Sequence, residues 1–201
     1  VNQLEAALAE QLGGSQLQKL QSVKLGIAGA GGLGSNCAAC LVRSGFKQLV
    51  LVDFDVVEPS NLNRQFYFWD QVGMVKVEAL RVNLLRINPD LELIVKSQEI
   101  TAANLDECFG DCQVVVEAVD RPEMKRLLVE HFWHAGKLVV AASGLAGWDD
   151  ADQLITRQIK SNVYLVGDQV TAVGQNQPPL APRVNIAAAK EANVVLKWVL
   201  G

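Results

Sequence analysis

Val23-Lys-Leu-Gly-Ile-Ala-Gly29-Ala-Gly31-Gly32-Leu-Gly34 opens as a short apolar strand, breaks into glycines and passes into a helical pattern. The three positions Gly29, Gly31 and Gly34 hold Gly-x-Gly-x-x-Gly spacing between a strand and a helix, the context a nucleotide-binding turn requires. Glycines let backbone approach phosphate, and the N-terminus of the following helix presents oriented N–H donors. Gly32 belongs to the same turn. Asp53 follows at the distance where a carboxylate meets ribose hydroxyls. The bland alternative is a glycine turn kept for tight strand–helix packing. Turn and carboxylate together do not distinguish ATP from NAD.

Outward from this turn, strand and helix alternate. Gly32 to about Ser44 reads as a helix stopped by Gly45, and Gln48–Val52 as a strand apolar on both faces. Val75–Ile87 has helical spacing and ends at Asn88-Pro89. Leu91–Val95 alternates as a strand, and Thr101 caps a helix to Phe109. Val114–Ala118 is a buried strand ending at Asp120, Pro122 opens a helix, and Lys137–Ala142 is a further strand. The order predicts an α/β, Rossmann-like doubly wound, mainly parallel sheet. Gln153–Ile159 and Asn162–Val166 add a hairpin, so antiparallel strands are expected in the C-terminal third. A loop over 167–183 leads to a closing helix from about Val184 to Leu200. We expect one domain over 1–201 with a short helical arm at about 1–21.

The chain has 201 residues, 50% hydrophobic and 20% charged, which suits one sizeable core. A net charge of -4 argues against broad nucleic-acid binding. No apolar run is long and charge-free enough for a membrane span, and no export signal is visible. Cytoplasmic, reduced thiols are the expectation. Cys37 and Cys40 lie on the apolar stripe of the first long helix with Leu33 and Leu41, reading as small hydrophobes. Cys108 and Cys112 lack Cys-x-x-Cys spacing, so no structural zinc is expected.

Between Asp53 and Arg64 the chain is polar and turn-like, with Glu58-Pro-Ser-Asn61 in its middle. Arg64 offers a rigid fork of donors for phosphate oxygens, and Lys76 a mobile positive charge. Asp120 suits Mg²⁺ bound to phosphates. Each has a plainer reading: Arg64 paired with Asp55 or Glu58, Lys76 a solvated helix charge, Asp120 the N-cap of the helix at Pro122. Convergence on one sheet edge favours a triphosphate site.

These residues carry a resemblance. Gly29–Gly34, then Leu51-Val-Asp-Phe-Asp-Val-Val-Glu-Pro-Ser-Asn-Leu-Asn-Arg-Gln65, then Gly73-Met-Val-Lys76, then Glu117-Ala-Val-Asp120 closely resemble the ubiquitin-activating superfamily. Within it the chain is similar to ThiF/MoeB-type adenylyltransferases, above all the compact ThiF-like ones, over residues 15–200. The resemblance implies ATP as the nucleotide, Gly32 against it and Asp53 on its ribose. It places Asn61, Arg64 and Lys76 on the phosphates with Gln65 beside them, and Mg²⁺ at Asp120. It implies adenylation of the C-terminal glycine of a small ubiquitin-like sulfur-carrier protein with a Gly-Gly tail, as in thiamine biosynthesis, by a homodimer.

The chain departs from that pattern. The zinc-binding Cys-x-x-Cys pairs of larger relatives are missing, as is any cysteine after Cys112 to take over the activated carrier. The arginine that relatives donate across the dimer has no match, since Lys19 and Lys24 are the only basic residues before Arg43. His131 and His134 sit near a helix end and read as bonding carbonyls or solvent. In the loop region, Trp148, Asp149 and Asp150 read as an acceptor contact or a solvated surface, and Arg183 as a carboxylate ligand or a helix cap. Two other enzyme readings stay open: the same chemistry on a small-molecule or cofactor-precursor carboxylate, and a nicotinamide-dependent oxidoreductase. The latter leaves Asn61–Gln65 without a role.

Overall fold

A computed structural model describes residues 2–174 and 176–201. Two short helices, α1 (Gln3–Leu12) and α2 (Gly14–Gln21), precede the sheet. Then come β1 (Lys24–Ala28), α3 (Gly32–Arg43), β2 (Gln48–Val52), α4 (Lys76–Leu85) and β3 (Glu92–Lys96). The chain continues through α5 (Leu105–Phe109), β4 (Val114–Glu117), α6 (Pro122–His134) and β5 (Leu138–Ala142). It closes with β6 (Ile155–Lys160), β7 (Val163–Gly167) and α7 (Ala181–Leu200).

One seven-stranded sheet has the order β3-β2-β1-β4-β5-β7-β6. Every neighbouring pair is parallel except β6 with β7, so the expected α/β sheet with antiparallel strands in its last third is what forms. Strands alternate their side chains between two helical layers. Leu49 and Leu51 of β2 face one core with Leu25, Ile27, Val114 and Val116. Val50 and Val52 face the other with Val115, Phe109 and Phe132. That is why these strands read as unbroken apolar runs. The chain runs outward from β1 to β3 and then returns to place β4 on the free side of β1. This reversal is the switch point, and the crevice beyond the carboxyl ends of β1 and β4 is where such sheets bind ligands.

The arm is two helices rather than one, broken at Gly13, and Val1 lies outside the described residues. Leu17 and Leu20 are buried, and α2 packs against α7, so the arm is fastened to the body.

Two boundaries differ from expectation for identifiable reasons. The helix to Phe109 starts at Leu105, not Thr101. The Asn104 side chain accepts the Thr101 N–H at 2.8 Å and closes a turn there, a local bond that competes with helix. The last helix starts at Ala181, with Pro182 in its first turn, three residues before the apolar period begins. Arg183 therefore lies within it.

Candidate functional site

The crevice beyond β1 and β4 is a cleft of about 1000 Å³. Gly29, Gly31, Gly32, Asp53, Asn61, Arg64, Gln65, Lys76 and Asp120 all line it. Of the ten residues expected at a nucleotide site, only Gly34 does not.

Asp53 closes the glycine turn. Its Oδ2 accepts the Ala30 N–H at 2.6 Å and its Oδ1 accepts the Asp55 N–H at 2.8 Å. Each oxygen keeps a lone pair for a ligand hydroxyl. The Tyr67 hydroxyl donates to the Ala30 carbonyl at 2.7 Å, fixing the turn from behind.

The loop carrying Arg64 is anchored to α3. Asn36 donates to the carbonyls of Gly32 at 2.7 Å and Arg64 at 2.8 Å, and the Ser35 hydroxyl accepts the Phe66 N–H at 3.0 Å. Sequence reading missed both residues; their polarity on an otherwise apolar helix was the available signal. The Asn61 Oδ1 accepts the Glu58 N–H at 3.0 Å, so Asn61 shapes the turn. Its Nδ2 has one long contact, 3.4 Å to the Ser60 hydroxyl, and remains open to an oxygen. Gln65 is buried, and its Oε1 lacks a partner among the described residues.

The cations divide differently from their plain readings. Lys76 is buried and holds Asp55 at 2.8 Å, so it is not a solvated helix charge. Arg64 pairs with neither Asp55 nor Glu58. Its Nη1 donates to the Ser60 carbonyl at 3.2 Å and the Asn63 Oδ1 at 2.7 Å. Partial burial lowers its pKa, the mark of a cation short of compensating charge.

Asp120 is exposed, three residues past the end of β4, with no hydrogen-bond or ion-pair partner among the described residues. Arg121 holds the N-cap position of α6, so capping does not account for Asp120.

Arg183 does bind a carboxylate, that of Asp168 within the chain, and is not a cap. It is 2% exposed and donates to the carbonyls of Asp149 at 3.0 Å and Asp150 at 2.8 Å and to the Asp168 carboxylate at 2.6 Å. The loop it fastens leaves Trp148 70% exposed. His131 meets Asp106 at 2.8 Å, and neither histidine lines the cleft. Nor do the four cysteines, which are free thiols. Burial pushes Cys112 up to about 12 and Cys37 well above its ordinary value. No group of three metal-ligating side chains occurs among the described residues.

Sequence reading also missed two buried acids. Glu117 ends β4 fully buried against Lys125. Glu191 on α7 is fully buried, and neither of its oxygens has a partner among the described residues. Burial first, then the charge of Glu117, pushes the Glu191 carboxyl well above the carboxylate range, with Lys125 partly opposing. A folded-state pKa raised this way costs nothing below the unfolded value of about 4.3 and lowers stability as pH rises from there towards the folded value. Glu191→Leu is therefore expected to stabilise the protein by about 1–3 kcal/mol, the cost of an unpartnered buried polar group. Urea midpoints across pH should show that advantage widening from about pH 4 upward. A constant advantage would mean that the carboxyl titrates normally.

The chain matches the ThiF family model over residues 4–197. It is 34% identical over 140 residues to the adenylyltransferase and sulfurtransferase UBA4 of Saccharomyces cerevisiae, covering 69% of this chain and 32% of that protein. It is 37% identical over 122 residues to ubiquitin-like modifier-activating enzyme 5 of Caenorhabditis elegans, covering 55% of this chain and 29% of that one. The match thus spans about a third of the length of these curated relatives. Among solved structures, E. coli tRNA N6-threonylcarbamoyladenosine dehydratase in complex with ATP superposes with a TM-score of 0.84 at 22% identity, covering 98% of this chain and 92% of that one. E. coli MccB with ATP gives 0.72 at 22% identity over 92% and 58%. Order of elements, glycine turn and family match agree: the chain belongs to the ThiF family.

Proposed function

We propose that this chain is an ATP-dependent adenylyltransferase that activates the C-terminal glycine carboxylate of a small ubiquitin-like sulfur-carrier protein, as in thiamine biosynthesis. The carrying observation is that Arg64, Lys76 and Asp120, which has no partner among the described residues, share one cleft with the glycine turn and Asp53. A nicotinamide ring has no need of that charge; a triphosphate does. Residues 1–201 act as a single catalytic domain in this reading, in the cytoplasm, where its thiols stay reduced.

A peptide C-terminal carboxylate has an ordinary pKa of about 3.5 and is ionised at neutral pH, so no general base is required. One carboxylate oxygen bonds to the α-phosphorus of ATP. The bond from that phosphorus to the bridging oxygen of the β-phosphate breaks, and pyrophosphate leaves with the electron pair. The chain's task is to bring two anions together and hold them in line. Asp53 takes the ribose, Gly31 and Gly32 admit the phosphates, and Asn61, Arg64 and Lys76 bind their oxygens, with Gln65 beside them. Asp120 would hold Mg²⁺, which binds through one or two carboxylates plus substrate phosphates and would neutralise part of the phosphate charge.

The test is ATP–pyrophosphate exchange against a panel of small proteins ending in Gly-Gly, with small carboxylic acids alongside. Exchange that depends on one of the proteins is expected. Exchange with an acid alone would keep the chemistry and change the acceptor; tight NADH binding without exchange would sink the reading.

We further propose a homodimer. Phe68, Trp69, Val72 and Met74 are exposed within one short stretch, Trp69 by 77%. Apolar side chains gathered this way favour an interface. Sedimentation should give twice the mass of the 21.8 kDa chain, and Trp69→Asp should shift it towards the monomer. A monomer at every concentration rules the pairing out.

A further inference from the structure

β4 ends at Glu117, and three residues later the chain reaches Asp120 at the cleft. Two side chains fix the path between them. Glu117 is fully buried. Its Oε1 accepts the Val119 N–H at 2.9 Å, closing the turn just before Asp120. Its Oε2 accepts from the Lys125 Nζ at 2.5 Å, and Lys125 lies on α6, just after Asp120. The same Nζ donates to the Ala142 carbonyl at 3.0 Å, at the end of β5. One carboxylate thus binds the chain on both sides of Asp120, and one ammonium ties that loop to the neighbouring strand.

A buried ion pair is a poor source of stability, because desolvation offsets its attraction and apolar side chains of equal volume do as well or better. What this one supplies is geometry. Asp120 itself is exposed and has no hydrogen-bond or ion-pair partner among the described residues.

We propose that Glu117 and Lys125 are positioning residues for Asp120, setting where its carboxylate meets a divalent cation carried on ATP phosphates. This rests on the adenylyltransferase reading. In this role the pair fixes the backbone on either side of Asp120, although Lys125 also lines the cleft.

The experiment measures ATP affinity by calorimetry with Mg²⁺ and with EDTA. The unaltered protein is expected to gain affinity with Mg²⁺, and Asp120→Asn to lose that gain. Lys125→Met should cut the gain, read as the ratio of affinity with Mg²⁺ to affinity in EDTA, by about tenfold, as groups that orient a metal ligand commonly do. The ratio is the readout because Lys125 lines the cleft and its loss also lowers the affinity in EDTA. Hydrogen exchange at the Val119 amide should quicken in the same variant, and Lys125→Arg should restore both readouts. Lys125→Met leaves Glu117 without its counter-charge, so the double variant Glu117→Gln/Lys125→Met is measured beside it. In the double variant neither position 117 nor position 125 carries an unpaired charge, and the amide oxygen at 117 can still accept the Val119 N–H. A folded double variant with its full Mg²⁺ gain overturns the proposal and leaves the adenylyltransferase reading standing. An unaltered protein that binds ATP with indifference to Mg²⁺ overturns the role of Asp120 and the proposal with it. No ATP binding under either condition overturns the wider reading as well.

Discussion

Arg64→Ala is expected to cut pyrophosphate exchange by about 10³-fold or more, the range in which an arginine serves phosphoryl transfer elsewhere, while leaving the melting temperature nearly unchanged. The two halves of this expectation come from the same contacts. Among the described residues the Arg64 side chain donates only to the Ser60 carbonyl and the Asn63 side chain, both within four residues. Exposed local bonds of this kind contribute about 1 kcal/mol or less to the fold. Meanwhile the guanidinium is partly buried, paired with no carboxylate among the described residues, and lines the cleft. A desolvated cation without a counter-charge is best explained by an anion that arrives later. Arg64→Lys should recover only part of the loss, because a point charge does not reproduce the planar fork. Lys76→Ala is a poorer probe, since removing Lys76 also frees Asp55 and mixes stability with activity. Exchange in Arg64→Ala within tenfold of the unaltered protein would remove Arg64 from the phosphates.

The roles of Arg64 and Lys76 also show where sequence stops being readable. Strands and helices were legible because β1, β2 and β4 are buried on both faces and bounded by glycines, aspartates or prolines. The meeting of nine expected residues in one cleft followed from strand order, since each lies just beyond a strand end, on the loops between, or at the first residue of α3 or α4. Which carboxylate takes which cation was not legible. The Val56–Val75 bridge brings Asp55 beside Lys76, and the local pattern offered Asp55 equally to Arg64. Glu117 was hidden for another reason: it lies within Val114–Ala118, read only as a buried strand, and its partner Lys125 comes from the next helix. Arg183 was misplaced because Pro182 starts the helix ahead of the apolar period, carrying Arg183 inward to Asp168. In each case the missing information is a long-range pairing between polar groups, which periodicity does not encode.

The glycine turn is where packing and ligand binding can be separated by experiment. Gly34→Ala is expected to destabilise the protein by more than about 3 kcal/mol, well above a typical substitution. A Cβ there would stand 1.9 Å from the Gly29 carbonyl oxygen and 2.9 Å from its carbon, backbone that cannot yield without opening the β1–α3 turn. Gly34 does not line the cleft, so its task is close approach of helix to strand. Gly29 belongs with it: at φ +98 with the Ala118 carbonyl 2.6 Å from an added Cβ, it shapes the turn before any ligand arrives. Gly31 is the opposite case. It has φ -77, and an added Cβ meets nothing nearer than the Gln65 amide at 3.9 Å, yet it lines the cleft. Gly31→Ala should therefore fold and melt like the unaltered protein and lose ATP affinity, because the methyl group occupies the space through which phosphate reaches the N–H groups of α3. Denaturant melts and ATP titrations on the two variants give four numbers that the packing account and the nucleotide account order differently. If the turn existed only for packing, Gly31→Ala would bind ATP as before. If Gly34→Ala melted normally and lost ATP instead, the division of labour between the glycines would be reversed, and the phosphates would have to sit deeper against β1.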